Sequence, residues 1–131
     1  MTAKLYRLAL AIALYEGWEP DNSVASVPEA GSASYRNHNP GNLRSSPFQL
    51  GERGGFAYFY NDDIGFSALL YDLWIKAKGK STTGLKATST IREFIFKYAP
   101  PVENDSEAYL AFILQQTGFA ENLQLGQLLE N

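Results

Sequence analysis

AKLYRLALAIALYEGW, residues 3–18, is the stretch that decides the fold. Leu5, Ala9, Ile12 and Glu16 recur at spacings of four, three and four, which places them on one helical face. A helix is predicted over residues 3–15, with Gly17 as its stop. The shared face looks inward apart from its acid. A carboxylate among aliphatic side chains is expensive to ionise, so its proton affinity rises. General-acid chemistry needs a carboxyl of that kind, which makes Glu16 a candidate catalytic residue. The plainer reading stays open at this point: Glu16 lies at the helix end and turns to water.

The 131 residues suit one compact domain over residues 1–131. A chain of this size buries roughly two-thirds of its unfolded surface. Hydrophobic residues make up 45% and aromatic residues 14%, enough for a true core. Flat rings also pack against sugars, so some of the eight Tyr and eight Phe are candidates for a groove. No cysteine is present, which excludes disulfides, thiolate metal sites and a Cys nucleophile. His38 is the single histidine, which argues against a multi-histidine metal centre; no metal or cofactor is expected. The net charge of −3 disfavours nucleic acid as a partner. Lys4 and Arg7 precede the apolar run over residues 8–14, an arrangement that imitates a secretory signal. No small-x-small site follows, so the run reads as a core helix and no signal peptide is expected. No apolar stretch approaches the roughly 20 residues of a membrane span, so no stable membrane insertion is expected.

Residues 19–34 read as a loop rich in Pro, Ser, Asp and Asn. Residues 35–46 are turn-prone around Asn39-Pro40-Gly41-Asn42. Gly54-Gly55 leads into the aromatic run over residues 56–60, a short strand expected to pair with residues 48–50 in a small hairpin. Asp62 or Asp63 then caps a long helix over residues 64–78. Lys76, Lys78 and Lys80 follow as a solvated basic end, with anionic-polymer contact as the lesser alternative. A third helix spans residues 91–97, started by Ser89 or Thr90 and ended by Pro100-Pro101. A fourth spans residues 107–116, capped by Asp105 or Ser106 and stopped at Gly118. Leu123 to Leu129 suggest a last helical piece broken by Gly126. The sum is a mainly α domain with a small β-hairpin insertion.

Two further constellations carry candidate chemistry. Residues 34–44 gather Arg36, Asn37, His38, Asn39, Asn42 and Arg44 around one turn, a set suited to holding hydroxyls and amides. Its plainer reading is a loop whose Asn side chains bond their own backbone. Tyr98-Ala99-Pro100-Pro101 ends an apolar run, so the Tyr98 ring is placed for burial with its hydroxyl in a cleft, or simply for one internal hydrogen bond.

The order of these motifs has a family likeness. Glu16-Gly17-Trp18, then Gly31-Ser32 and the Arg36 to Arg44 run, then Gly55-Phe56-Ala57, Gly65 and Tyr98-Ala99-Pro100-Pro101 resembles small phage-associated lysozyme-like proteins. These are similar to goose-type lysozymes and soluble lytic transglycosylases. The resemblance covers residues 8–118; its most specific part is the Arg36 to Arg44 run, where the family more often has Asn in place of His38.

It implies a lysozyme-like two-lobed helical domain with a substrate groove between the lobes, and cleavage of peptidoglycan glycan strands by Glu16. The turn at Pro40-Gly41-Asn42-Leu43 would face that acid, and Tyr98 would line the cleft near it. On the residue reading above, the polar side chains of that run, Arg36, Asn37, Asn39, Asn42 and Arg44, are then the candidates, with Tyr98, for binding substrate. A lytic transglycosylase needs a single acid, which matters because second carboxylates are poorly supplied: Asp62 and Asp63 read as caps, and Glu29 and Glu103 fall in loops. The resemblance also implies action at the cell wall, in the periplasm or outside the cell, as a monomer or with phage particle proteins. A hydrolytic lysozyme, a non-catalytic glycan-binding or virion module, and a small helical interaction domain are the competing readings.

Overall fold

The computed structural model describes residues 1–18 and 32–130. Most of the loop expected over residues 19–34 lies outside the described residues, as do Glu29 and Gly31. The described chain is mainly helical with one two-stranded antiparallel sheet. Its contacts gather into two compact units, residues 12–72 and residues 1–11 with 73–131.

In the unit of residues 12–72, helix α1 (Ala3–Tyr15) delivers its last turn. Helix α2 (Ala33–Arg36) is a single turn that the sequence reading left as loop. Its N-cap is Ser32, whose hydroxyl accepts the Tyr35 N–H. The hairpin joins β1 (Gly51–Arg53) to β2 (Phe56–Tyr58), with Glu52 opposite Ala57. The paired strand is therefore residues 51–53; of the expected 48–50, Leu50 continues the contact, its N–H bonding the Tyr58 carbonyl at 2.9 Å. Gly54 and Gly55 both have positive φ, +63° and +86°, and a two-residue turn of that kind pairs the residues directly beside it. Helix α3 (Asp62–Ala77) starts two residues earlier than expected. Its cap is Asn61, whose Oδ1 accepts the Ile64 N–H at 2.8 Å. Asp62 and Asp63 lie instead in the first turn, where negative charge suits the helix dipole. Ile12, Tyr35, Leu43, Ala57, Phe59 and Leu69 are buried in this unit.

In the other unit, Thr90 and Glu93 form a reciprocal capping box at the start of α4 (Ile91–Tyr98). Asp105 caps α5 (Ser106–Thr117), and Gly118 follows in the left-handed region at φ +76°. A 3-10 helix (Leu125–Leu129) closes the chain and runs through Gly126 without a break. A β-carbon at Gly126 would meet the Ala87 carbonyl oxygen at 3.2 Å, and its N–H bonds that oxygen at 2.8 Å. This glycine therefore serves close approach and does not interrupt the helix. Leu5, Leu8, Phe94, Ile95, Tyr109 and Ile113 are fully buried, and each such side chain contributes about 1.5–3 kcal/mol by leaving water.

Lys76 departs from the expected solvated helix end. It is 8% exposed, with its ammonium 5.6 Å from the Phe94 ring centroid and 5.0 Å from that of Tyr98. A long aliphatic stem and a cation that favours ring faces let a lysine sit in such a place. No helix among the described residues is long and apolar enough to cross a membrane.

Candidate active site

Helix α1 ends in a tight reversal. The Trp18 N–H bonds the Ala13 carbonyl at 3.0 Å and the Gly17 N–H bonds that of Leu14 at 3.2 Å. This paired pattern is the Schellman motif, and it requires a left-handed residue, here Gly17 at φ +86°. Glu16 is the residue just before that glycine, the last with a helical hydrogen bond, to the Ile12 carbonyl at 3.0 Å. Its side chain is half-buried, below the buried Ile12 and Ala9 of the same face.

The carbonyls exposed by this ending are met by hydroxyls. Ser34 Oγ donates to the Glu16 carbonyl at 2.9 Å, and Ser32 Oγ donates to that of Gly17 at 3.0 Å. A β-carbon at Gly17 would stand 3.1 Å from the Ser32 side chain, so this glycine is held by space as well as by φ. The sequence reading assigned neither serine a role. A Ser-x-Ser pair at a helix start was the available signal, but a one-turn helix gives no periodicity to flag it.

The turn at residues 39–42 lies against the acid. Asn42 Nδ2 is 3.4 Å from Glu16 Oε1, at the long end of hydrogen-bond range. Asn42 holds a left-handed backbone, φ +51°, which asparagine tolerates better than most residues. Its Oδ1 is buried without a hydrogen-bond partner among the described residues, as is Trp18 Nε1. The Trp18 ring packs 5.9 Å from that of Phe66 on α3. Buried polar atoms left unpaired are uncommon, and both of these belong to the segments that meet at Glu16.

Asn39 plays a different part. It is 0% exposed, and its amide makes three backbone bonds of 2.9 Å, donating to the carbonyls of Leu43 and Ala57 and accepting the Leu43 N–H. Its side chain thus ties the turn to β2. Asn37 is also buried, and its carbonyl accepts the Phe59 N–H at 3.0 Å. Arg36 and Arg44 are exposed, with the Arg44 guanidinium 4.4 Å from the Phe56 ring centroid. His38 sits at φ +51° with Nδ1 2.9 Å from Asp62 Oδ1, which links the turn to the first residue of α3.

Gly65 allows α3 to press against this turn. A β-carbon there would come within 1.8 Å of the His38 carbonyl oxygen. Tyr98 belongs to the other unit, with its ring 5.3 Å from that of Phe94 and 6.5 Å from that of Tyr109. The residues brought together around Glu16 are therefore Asn42, Ser34, Ser32 and Trp18, braced by Asn39, His38 and Gly65. No protein-family model, no curated protein and no solved structure matches the chain.

Proposed function

We propose that this protein cleaves the β-1,4 bond between MurNAc and GlcNAc in peptidoglycan, as a lytic transglycosylase with Glu16 as its single acid and base. The observation that carries the reading is the placement of a half-buried carboxyl at the closing turn of α1, with the Asn42 amide against it. The negative end of the helix dipole opposes ionisation of an acid at this position.

In this mechanism Glu16 gives its proton to the glycosidic oxygen as the bond from that oxygen to the anomeric carbon breaks. The resulting carboxylate then takes the proton of the sugar's own hydroxyl, whose oxygen bonds the anomeric carbon. The product is an anhydro ring, no water is consumed, and Glu16 regains its proton. The Asn42 amide serves the second half of the cycle, where its nitrogen donates to the carboxylate left by the first proton transfer. Asn39 acts here by fixing the turn and Asn37 is buried beside it, while the exposed Arg36 and Arg44 are proposed to orient the acetamido and hydroxyl groups of the strand.

Turbidity of purified cell walls tests the reading. Wild-type protein is expected to clear them, with a rate that falls as pH rises because the acid must begin protonated. Glu16→Gln is expected to bind walls without clearing them. A Glu16→Gln protein with most of its clearing rate, or a wild-type rate that climbs into alkaline pH, would refute the assignment.

A further inference from the structure

Residues 73–92 contain no Asp or Glu, yet they carry Lys76, Lys78, Lys80, Lys86 and Arg92 in a chain whose net charge is −3. Two of these charges are accounted for. Lys76 is buried against Phe94 and Tyr98, and Arg92 pairs with Glu107 and Glu121. The hydrogen bond to Glu107 comes first among the contacts that hold the Arg92 proton more firmly than usual. Lys78, Lys80 and Lys86, joined by Lys97 from α4, are exposed. Among the described residues no carboxylate forms an ion pair with any of these four.

The fold gathers them along one loop. Lys78 and Lys80 flank Gly79, where a β-carbon would come within 3.2 Å of the Ala87 nitrogen, beside Lys86. A β-carbon at Gly84 would stand 3.9 Å from the Lys97 ammonium. Between these lysines the loop offers hydroxyls, with Ser81 Oγ and Thr83 Oγ1 2.8 Å apart. The Lys78 ammonium lies 4.6 Å from the Trp74 ring centroid. Like charges on one loop with no carboxylate between them raise the local positive potential, and a polyanion that binds there neutralises it while releasing its own counterions.

We propose that this surface docks a phosphodiester-linked polyol polymer of the cell wall. Lysine ammoniums are point charges that follow a chain of phosphates without reading its sequence. A lipid surface would call for apolar side chains beside the charges. None of the exposed large hydrophobic residues falls within residues 73–97. A single-stranded nucleic acid would call for open ring faces, and the Trp74 ring is met by Lys78. The choice of a wall polymer rests on the peptidoglycan reading above, whereas the docking of a polyanion does not.

The test is the affinity of the whole chain for poly(glycerol phosphate) across a salt series. The triple variant K80A/K86A/K97A is expected to bind at least about tenfold more weakly at low salt, with the log–log salt slope smaller by about two. Replacing the same three lysines by arginine is expected to restore both. An unchanged affinity and slope in the alanine variant would overturn the proposal. Tighter binding to phosphatidylglycerol vesicles or to a single-stranded oligonucleotide would overturn the choice of polymer. The alanine variant is expected to keep its cleavage rate on walls stripped of anionic polymer. A wild-type protein that is inert on peptidoglycan but binds the polymer through these lysines would refute the cleavage reading while supporting the docking surface.

Discussion

Among the helices that stop at a left-handed glycine, two put opposite chemistry at the end. Both α1 and α5 stop at a left-handed glycine, Gly17 at φ +86° and Gly118 at φ +76°. The residue before Gly118 is Thr117, buried, with its hydroxyl bonded to the Ile113 carbonyl at 2.7 Å. Its own carbonyl accepts from Arg7 Nη1 at 2.9 Å, so a cation meets the negative end of α5. The residue before Gly17 is an acid, Glu16, and the carbonyls around it are met by the neutral hydroxyls of Ser32 and Ser34. A cation at a helix C-terminus stabilises by about 0.3–1 kcal/mol and a carboxylate there costs a similar amount. The α5 end is built for stability, while the α1 end holds an acid that is costly to ionise there, beside an amide oxygen buried without a hydrogen-bond partner among the described residues. Local rules are broken most often where a site is needed.

That contrast can be broken in order of effect. Glu16→Gln should lower wall cleavage by roughly a hundred- to ten-thousand-fold, the range of a lost general acid. It should also leave stability unchanged or raise it by up to about 1 kcal/mol, since it removes charge from the helix end. Matched turbidity and denaturant curves read both; a loss of stability together with activity would mean that Glu16 is merely structural. Gly65→Ala should cost more than about 3 kcal/mol, because its β-carbon would fall 1.8 Å from a backbone oxygen that cannot move aside cheaply. Asn39→Ala should cost about 2–4 kcal/mol through the Ala57 carbonyl and the Leu43 N–H that it orphans, the Leu43 carbonyl keeping the Ala57 N–H, measured by urea unfolding. At the other helix end, Arg7→Met should cost about 1 kcal/mol and leave cleavage untouched. A large drop in cleavage for Arg7→Met would erase the distinction between the two ends.

Legibility followed the length of the signal. The α1 stripe and the starts of α4 and α5 were readable as local patterns, although the sequence offered Ser89 beside Thr90 and Ser106 beside Asp105, and the Thr90–Glu93 capping box came only with the structure. The hairpin was readable as an element, but its partner strand lies later in the chain than the expected 48–50, because the Gly54-Gly55 turn pairs the residues directly beside it, 51–53 with 56–58. Helix α2 was invisible because one turn has no period. At the candidate site, Glu16 and the Asn turn could be named in advance, but not the division of labour among the asparagines. Asn39 bonds the backbone of Leu43 and Ala57, whereas Asn42, at φ +51°, turns toward the acid. Lys76 shows the same limit: its charge was plain in the sequence, but the rings that cover it come from α4, far along the chain.

Mass spectrometry of the fragments released from purified peptidoglycan tests the central claim most directly. Wild-type protein should release anhydro-ended fragments, each one water lighter than the hydrolytic product, and Glu16→Gln should release none. Fragments with ordinary reducing ends would contradict transglycosylation, and equal release by both proteins would contradict the role of Glu16 altogether.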